Sequence, residues 1–445
     1  MILLLALYLI VMMGIAIYDL AHIKNFEDYA VAGKKQRTYA VVMTMLATII
    51  GASSTVGLID TTYDIGFPAI WWLFMGAAGL LLQSIFISKK IRNLNADTLP
   101  QAAGIMVAPI AERVIAAVIV ISWIGVVAGQ LVALSSIVSY IVGSASKWIF
   151  VGVAIIVVLY TTLGGQLSVV RTDRLQFIII LSGLVICCAY LYLFAGQDST
   201  TPLHSVEFLN DSYAPIDLVT QFFVIGGVYF LGPDMLSRNL ISRDSKTAKR
   251  SASVAASALI VIALVIVGIG MWARTNVAAG ESGSAKMLMY LIDQKIPRPI
   301  GVLLTFALLS SILSSTDTCL INASSIFVKD LLQRDSIRLI RITVASIGTI
   351  ATIIAVAGRG DIISLLSGAY SIYTSGVIFP LFIAIYFYGK RQLRTNIWIA
   401  AVSVGGICGL IGVYMPNTSV NFALIGMALS FVIAVLAIKR RVSSK

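Results

Sequence analysis

Charged residues are scarce in this chain. Asp, Glu, Lys and Arg make up 12% of its 445 residues, whereas 59% of the residues are hydrophobic. Soluble domains carry roughly 25% charged residues, so the composition excludes an ordinary soluble protein and predicts an all-α polytopic protein of the lipid bilayer. The net charge of +12 does not indicate nucleic-acid binding, because the basic residues lie in short loops between apolar spans, where they act as topology signals.

Histidine and cysteine are also rare. The two histidines, His22 and His204, fall in loops, which argues against an intramembrane haem or a histidine-based metal site. The four cysteines lie within apolar spans and form no CxxC pair, so they are best interpreted as buried free thiols. The sequence contains no nucleophile–base set and no metal cluster, and we do not expect an enzyme.

Thirteen apolar segments are long enough to cross a bilayer. The first resembles a signal peptide but lacks a basic start and a small-residue cleavage site, so we expect a retained span. The segments lie near residues 1–19, 39–59, 68–88, 114–142, 147–163, 175–195, 217–236, 252–273, 299–328, 338–357, 361–388, 396–414 and 420–438.

The basic residues are distributed unevenly between the two sides of the membrane. If the first span runs inward, all but six of the 32 Lys and Arg lie inside, which predicts an outside N-terminus and a cytoplasmic C-terminus in the plasma membrane. The longest outside segments, about 196–217 and 275–297, could each hold a short helix. The six exceptions are Lys147, Arg274, Lys286, Lys295, Arg298 and Arg359.

Glycine and proline interrupt two of the apolar spans. The second span contains Gly51-Ala52-Ser53-Ser54-Thr55-Val56-Gly57, and the seventh contains Gly226-Gly227 and then Gly232-Pro233. Glycine weakens a helix interior, and proline removes a backbone hydrogen bond. Two interrupted spans at corresponding positions are typical of inverted-repeat transporters and indicate the binding site. Close helix packing through glycine is the alternative explanation.

A polar run lies inside the apolar span near residues 299–328. It reads Ser310-Ser311-Ile312-Leu313-Ser314-Ser315-Thr316-Asp317-Thr318. In a helix, the hydroxyls of Ser311, Ser314, Ser315 and Thr318 fall on one face. Hydroxyl and carboxylate oxygens suit a hard cation, and an ionisable residue such as Asp317 at mid-membrane is a functional-site hypothesis. Hydrogen bonding between helices is the alternative.

Four motifs together resemble the sodium:solute symporter family over nearly the whole chain. The resemblance implies the LeuT-type fold, in which two inverted repeats each begin with a broken helix. The motifs are Asp28-Tyr29-Ala30-Val31-Ala32-Gly33, then Gly51-Ala52-Ser53-Ser54, then Gly164-Gly165 with Arg171-Thr172-Asp173 and Gln176, and finally Ser314-Ser315-Thr316-Asp317-Thr318 with Ala323-Ser324-Ser325 and Lys329-Asp330.

This resemblance divides the chain into four parts. Residues 1–20 would form an extra N-terminal helix. Residues 39–195 and 217–388 would form the two inverted repeats of five helices. Residues 395–445 would add two peripheral helices and a basic cytoplasmic tail. The expected fold is therefore a LeuT-type 5+5 repeat with about thirteen transmembrane helices.

Two cation sites are implied by the same resemblance. The main sodium site would take backbone carbonyls from Ala52, Thr55 and Ser311 and side-chain hydroxyls from Ser314 and Ser315. An unwound turn supports this assignment, because it frees carbonyls that lack a helical partner. A second sodium site, present in some relatives, would join Asp173, Ser314, Asp317 and Thr318. Asp173 could instead form a cytoplasmic gate with Arg171 or Arg174.

The solute is expected to bind at the bilayer midplane between the two breaks. Some family members carry an aspartate where this chain has Ser54, so a fixed negative charge for an amine is absent at that position. Aromatic packing and, for Gln130, an interhelical hydrogen bond are alternative roles. The candidate residues are Ser53, Ser54, Val56, Trp72, Gln130, Gln221, Phe222, Tyr229 and Tyr373.

The predicted function is sodium-coupled import of a small polar organic solute by alternating access. A proton-coupled carrier that uses Asp317 or Asp173 is the first alternative, and a membrane sensor that binds a solute without transporting it is the second. The sequence identifies neither the solute nor the oligomeric state, and a monomer is compatible with it.

Overall fold

Helices account for nearly all regular structure in the computed structural model, which describes residues 1–196, 207–278, 287–357, 362–415 and 421–439. Within these ranges β structure is limited to isolated bridges. The α-helices are α1 (Ile2–Leu20), α2 (Phe26–Val31), α3 (Thr38–Ile49), α4 (Leu58–Ile65), α5 (Trp71–Leu82), α6 (Ser88–Asn93), α7 (Leu99–Met106), α8 (Pro109–Val142), α9 (Lys147–Leu193), α10 (Pro215–Gln221), α11 (Gly227–Leu231), α12 (Pro233–Ile241), α13 (Ser245–Asn276), α14 (Met287–Gln294), α15 (Arg298–Ile326), α16 (Ile337–Val356), α17 (Ile362–Phe387), α18 (Thr395–Tyr414) and α19 (Phe422–Leu436).

The described residues contain ten helical segments long and apolar enough to cross a membrane, or eleven if one bent pair forms a single span. An all-helical, multi-pass membrane protein is thereby confirmed. Besides this bent pair, two features separate the number from the thirteen spans predicted. Helix α9 consists of two helical segments, one in each of two predicted spans, which meet without a loop at Gly165, where the backbone is non-helical (φ 56°, ψ −162°). Helix α19 has 15 residues, which is short of the roughly 20 needed to cross hydrocarbon.

The backbone is interrupted at both sequence breaks. Helix α3 ends at Ile49, and the segment that follows, Ser53–Ile65, is bent from it by 63°. This segment opens with a wide π-type turn at Ser53–Gly57. At the second break Gly232 is extended (φ −66°, ψ 147°). Pro233, which lacks an N–H group and fits the first turn of a helix, then begins α12.

Helix α15 occupies the interior of the bundle. All side chains from Ala307 to Ile326 are buried, and the helix packs against α3, α8, α9 and α16. The polar run of α15 therefore faces other helices, where hydrogen-bond partners are available.

The two long segments predicted outside differ in how much of each is described. Helix α14 forms within the second, as expected. In the first, residues 197–206, including His204, lie outside the described residues, and α10 begins at Pro215. Lys286, Arg359 and the tail beyond Lys439 also lie outside the described residues.

A polar cap begins the longest helix of the second half of the chain. The Asp244 carboxylate accepts the Thr247 backbone N–H at 2.7 Å at the start of α13. This hydrogen bond holds the pKa of the Asp244 carboxyl below its usual value.

Candidate functional site

The serine pair of α15 contacts the backbone at the break after α3. A helix end leaves its last carbonyls without intrahelical partners. The Ser314 hydroxyl donates to the Ala47 carbonyl at 2.8 Å, and the Ser315 hydroxyl donates to the Thr48 carbonyl at 2.7 Å. Two adjacent hydroxyls on one helix thus satisfy two adjacent carbonyls at the broken end of another.

Glycine at position 51 allows this close approach. A Cβ atom on Gly51 would lie 2.6 Å from Ser315 Oγ and 3.0 Å from Gln130 Nε2. The next residue along the chain is bonded to the same glutamine, because the Ala52 N–H donates to Gln130 Oε1 at 3.2 Å. Gln130 therefore makes the interhelical hydrogen bond that the sequence left open, and its side chain also borders the central cavity.

The five residues implied for the main sodium site lie on these two segments. Thr55 Oγ1 is 3.5 Å from Ser311 Oγ, so the turn after the break lies against α15. The Ser311 carbonyl accepts the hydroxyls of Ser314 and Ser315 at 3.0 and 3.1 Å. The Ala52 carbonyl accepts the Gly57 N–H at 3.1 Å. The two segments thus present carbonyl and hydroxyl oxygens, which are the ligand type that hard cations take.

An arginine that the sequence did not single out lies among the residues of the second implied site. The Nη2 atom of Arg238 is 3.3 Å from Asp173 Oδ2, and both side chains are fully buried. The same nitrogen donates to the hydroxyls of Thr318 and Thr48, and Thr44 donates to Asp173. A guanidinium group from α12 therefore joins α3, α9 and α15.

The other acidic residue of that site has different partners. Asp317 accepts the Tyr160 hydroxyl at 2.9 Å and the Thr161 hydroxyl at 2.6 Å, both from α9. The gate partners suggested for Asp173 are also engaged elsewhere. Arg171 forms a 2.9 Å ion pair with Asp19, and Arg174 donates to the backbone within its own helix.

A small cavity of about 30 Å³ lies between the two breaks. It is bordered by three of the predicted solute-contact residues, Ser53, Gln130 and Tyr229. A cavity of this size holds no more than a few water molecules, so an organic solute requires the helices to separate. Residues that the sequence did not assign to the pocket also border it, namely Asp234, Met235, Cys319 and Tyr370 among others.

The other predicted solute-contact residues do not border this cavity. The hydroxyl of Ser54 donates to the Ile49 carbonyl at 2.8 Å, and that of Tyr373 donates to the Leu231 carbonyl at 2.6 Å. Phe222 is 36% exposed and borders an apolar groove of about 200 Å³ on the outside of the bundle. Its aromatic ring suits lipid better than a polar solute. Val56, Trp72 and Gln221 also lie away from the cavity lining.

Asp234 is the most informative residue that the sequence reasoning missed. It lies in the first turn of α12 and is 7% exposed. Trp123 Nε1 donates to both of its oxygens at 2.9 Å, and Asn322 Nδ2 donates to Oδ1 at 2.6 Å. The sequence does mark Asp234 as a candidate, because it directly follows Gly232-Pro233 inside an apolar span, where an ionisable residue is unusual.

Broken helices around a central polar site, in a bundle of membrane-crossing length, define a membrane transporter. Residues 29–392 match the Sodium:solute symporter family. The chain therefore belongs to this family of sodium-coupled transporters, as the four motifs predicted.

Curated relatives are distant and transport different solutes. The chain is 25% identical to the osmoregulated proline transporter of Bacillus subtilis, over 63% of this chain and 61% of that protein. It is 24% identical to the sodium/pantothenate symporter of Haemophilus influenzae, over 74% of this chain and 71% of that one. The chain thus matches less than two thirds of the length of the proline transporter.

Solved structures support the fold. A sodium-coupled sialic acid symporter, in a substrate-bound outward-open state, matches with a TM-score of 0.80 at 17% identity and covers 97% of both chains. A nucleobase-cation-symport-1 family transporter in a closed conformation matches with a TM-score of 0.65 at 13% identity, over 92% of this chain and 93% of that one. These similarities show that the chain has the LeuT-type fold of these two proteins.

Proposed function

We propose that this protein is a sodium-coupled symporter that imports a small polar organic solute across the plasma membrane by alternating access. The observation that carries the proposal is the contact of the Ser314 and Ser315 hydroxyls with the carbonyls at the broken end of α3. This contact joins a helix break, through oxygen atoms alone, to the helix that is most buried among the described helices of membrane-crossing length. The curated relatives support the solute class, since proline and pantothenate are small polar organic molecules.

Sodium is proposed to bind at this contact. A serine hydroxyl that donates its hydrogen still has lone pairs for a cation, and each backbone carbonyl has two lone pairs. The ion would be held by the carbonyls of Ala52, Thr55 and Ser311 and by the hydroxyls of Ser314 and Ser315. Bound there, it would fix the break after α3 against α15 and thereby complete the neighbouring solute pocket.

Coupling follows from differential affinity. Sodium favours whichever conformation binds it more tightly, and it shifts the equilibrium only by that difference. In the proposed cycle sodium favours the outward-open state, and rocking of one helix group against the other opens the site inward. The membrane potential adds about 2.3 kcal/mol per charge for each 100 mV.

One sodium ion per cycle is the stoichiometry that the buried charges favour. The second implied site would use Asp173, Ser314, Asp317 and Thr318. In this structure the Arg238 guanidinium already pairs with Asp173 and donates to Thr318. A fixed positive charge in this position would repel a second cation.

The finer topology is also part of the proposal. A count of thirteen membrane helices follows when α9 is taken as two spans on either side of Gly165, α19 as a short span, and the bent pair of α3 and Ser53–Ile65 as one span. The inverted repeats would occupy residues 39–195 and 217–388, with the N-terminus outside and the C-terminus in the cytoplasm. The excess of Lys and Arg on one side supports this orientation.

Thermal unfolding of the purified protein in detergent tests the sodium site without knowledge of the solute. NaCl should raise the melting temperature of the wild type more than KCl does, because a ligand of the folded state stabilises it by about 2.7 kcal/mol at one hundred times its Kd. Ser315→Ala should lose the sodium-specific part of this shift.

Ser324→Ala is the matched control for this experiment. Ser324 lies on the same helix and is fully buried, and its hydroxyl has no hydrogen-bond partner among the described residues. This variant should keep the full sodium response. Equal responses of the wild type to NaCl and KCl would reject the proposed site.

A further inference from the structure

The carboxylate of Asp234 is held only by uncharged donors. Besides Trp123 and Asn322, the Cys319 thiol contacts Oδ2 with Sγ at 3.4 Å. Asp234 forms no ion pair within the described residues, and the nearest arginine along the chain, Arg238, is paired with Asp173. The hydrogen-bonding capacity of Asp234 is largely satisfied, but Arg238, one turn further along α12, forms its ion pair with Asp173 and none with Asp234.

The buried charges at the centre of the bundle do not balance. Asp173 and Arg238 neutralise each other, whereas Asp234 and Asp317 have only uncharged hydrogen-bond partners in the described structure. A buried charge without a partner costs several kcal/mol. The proposed sodium ion contributes one positive charge and leaves one negative charge to be matched.

The position of Asp234 indicates what would match it. Its side chain borders the cavity between the two helix breaks, together with the aromatic rings of Tyr229 and Tyr370. The Trp123 ring, which donates to Asp234, packs edge-on against Tyr373 at 5.2 Å and lies 6.4 Å from Tyr370. A carboxylate beside aromatic faces is the environment in which ammonium groups bind.

We propose, on the basis of the symport function above, that Asp234 binds the cationic group of the solute and that the solute is an ammonium compound or a zwitterion with an ammonium group. Some family members carry an aspartate at the first break, where this chain has Ser54. In this chain Asp234, at the second break, would supply the carboxylate instead. The weak Cys319 thiol is the donor that an ammonium group would most easily displace. No Lys or Arg borders the cavity, so no positive charge in its lining would repel a cationic solute.

Cation binding also explains why position 234 carries a carboxylate although an apolar side chain could pack there. If Asp234 served only to connect α12 with α8 and α15, its charge would not affect the binding of a cation. Asn keeps one acceptor oxygen but turns an NH2 group toward a donor, so some loss of stability is expected for either role. A function in cation binding requires the charge itself. Asp234→Asn therefore separates the two roles while changing few atoms.

Thermal unfolding in NaCl, with added ammonium probes, tests the proposal. The probes are methylammonium chloride and choline chloride, and the neutral control is 3,3-dimethylbutan-1-ol, which has the shape of choline but no charge. At least one ammonium probe should raise the melting temperature of the wild type, and the alcohol should not. Asp234→Asn should weaken the binding of that probe at least tenfold and should keep the sodium response of the wild type.

The proposal is overturned if the wild type responds to neither ammonium probe, or if it responds to the alcohol as strongly as to choline. It is also overturned if Asp234→Asn binds the probe with unchanged affinity. If Asp234→Asn does not fold, Asp234→Glu replaces it in the test. This variant keeps the charge and should still bind the ammonium probe. A folded Asp234→Glu variant that no longer binds the probe would contradict the proposal. If NaCl does not raise the melting temperature of the wild type, the proposed sodium symport is itself contradicted.

Discussion

Arg238 and Asp173 form an ion pair at 3.3 Å in which neither side chain has any exposed surface. Removing one member of a buried pair leaves the other charge without compensation, which is strongly destabilising. Arg238 also donates to the hydroxyls of Thr48 and Thr318, so the pair fixes α12 against α3, α9 and α15. This four-helix junction lies beside the proposed sodium site.

Arg238→Met should lower the stability of the protein by about 3–5 kcal/mol, because it leaves Asp173 buried and unpaired. Asp173→Leu should have an effect of similar size. The double variant should be more stable than the sum of the two single losses predicts, since it removes both charges. Unfolding of the three variants in detergent measures the coupling.

Arg250→Met is the control for the arginine substitution, because Arg250 is exposed on α13. Its effect should stay within about 0.5 kcal/mol. A strictly additive double variant would contradict the ion pair as a stabilising unit.

Gly51→Ala should impair both stability and sodium binding. The added methyl group would lie 2.6 Å from Ser315 Oγ and 3.0 Å from Gln130 Nε2, and overpacking of this kind costs about 1–3 kcal/mol. Displacement of Ser315 should also weaken the stabilisation by NaCl, which the melting temperature measures. Gly152→Ala on α9, where a Cβ meets nothing within 4 Å, should be neutral or stabilising. A sodium response unaffected by Gly51→Ala would separate this contact from the ion site.

Sequence patterns predicted the helical spans and the two breaks better than they predicted which side chains from different helices contact each other. Apolar length and the Gly and Pro positions predicted the spans and the two breaks, because both are local properties of the chain. Gly165 shows the limit of that reasoning, since the two helices on either side of its non-helical backbone meet without a loop, which apolar length does not reveal. Membership in the family followed from four motifs, each of which is also local.

The partners of the buried charges could not be read from the sequence. Arg238 lies 65 residues from Asp173 along the chain, and only the tertiary fold brings the two together. Asp234 directly follows the helix-breaking Gly232-Pro233 pair, and the sequence does not show whether such a residue faces the bundle interior. An inventory of every ionisable residue inside an apolar span would have included both Asp234 and Arg238. Phe222 was misplaced because its orientation around the helix decides whether it faces the pocket or lipid.

Gln130→Met should destabilise the protein by about 1–3 kcal/mol, because it leaves the buried Ala52 N–H without its acceptor. Gln166→Met provides the contrast. Gln166 is fully buried, and neither polar atom of its side chain has a partner among the described residues. Its replacement should be neutral or stabilising, since an unsatisfied buried amide is removed. Unfolding in detergent compares the two variants, and equal losses would contradict the role assigned to Gln130.

A small network of ion pairs connects three segments at the side proposed to be cytoplasmic. Asp97 pairs with Lys34 at 2.8 Å and with Lys329 at 3.7 Å, and Lys329 also pairs with Asp335. These residues follow α2, precede α7 and follow α15. Because separation of these segments would break the network, we expect it to favour the conformation that is closed on this side.

Asp97→Asn should open the cytoplasmic side without a large loss of stability. Exposed and half-exposed ion pairs contribute about 0–1 kcal/mol each, yet 1 kcal/mol shifts a two-state equilibrium about fivefold. The native thiol of Cys319 borders the central cavity and reports on its accessibility. Alkylation of Cys319, followed by peptide mass spectrometry, should therefore be several-fold faster in Asp97→Asn than in the wild type.

Asp335→Asn is the matched control for this prediction. The Asp335 side chain is 62% exposed, against 20% for Asp97, and in the described structure it pairs with Lys329 alone. Because solvent screens its charge and it bridges no third segment, this variant should change the rate at Cys319 little. Equal rates for Asp97→Asn and the wild type would show that the network does not hold this side closed. Equal acceleration by both variants would indicate that Lys329 and Asp335, and not the bridge through Asp97, make the closing contact.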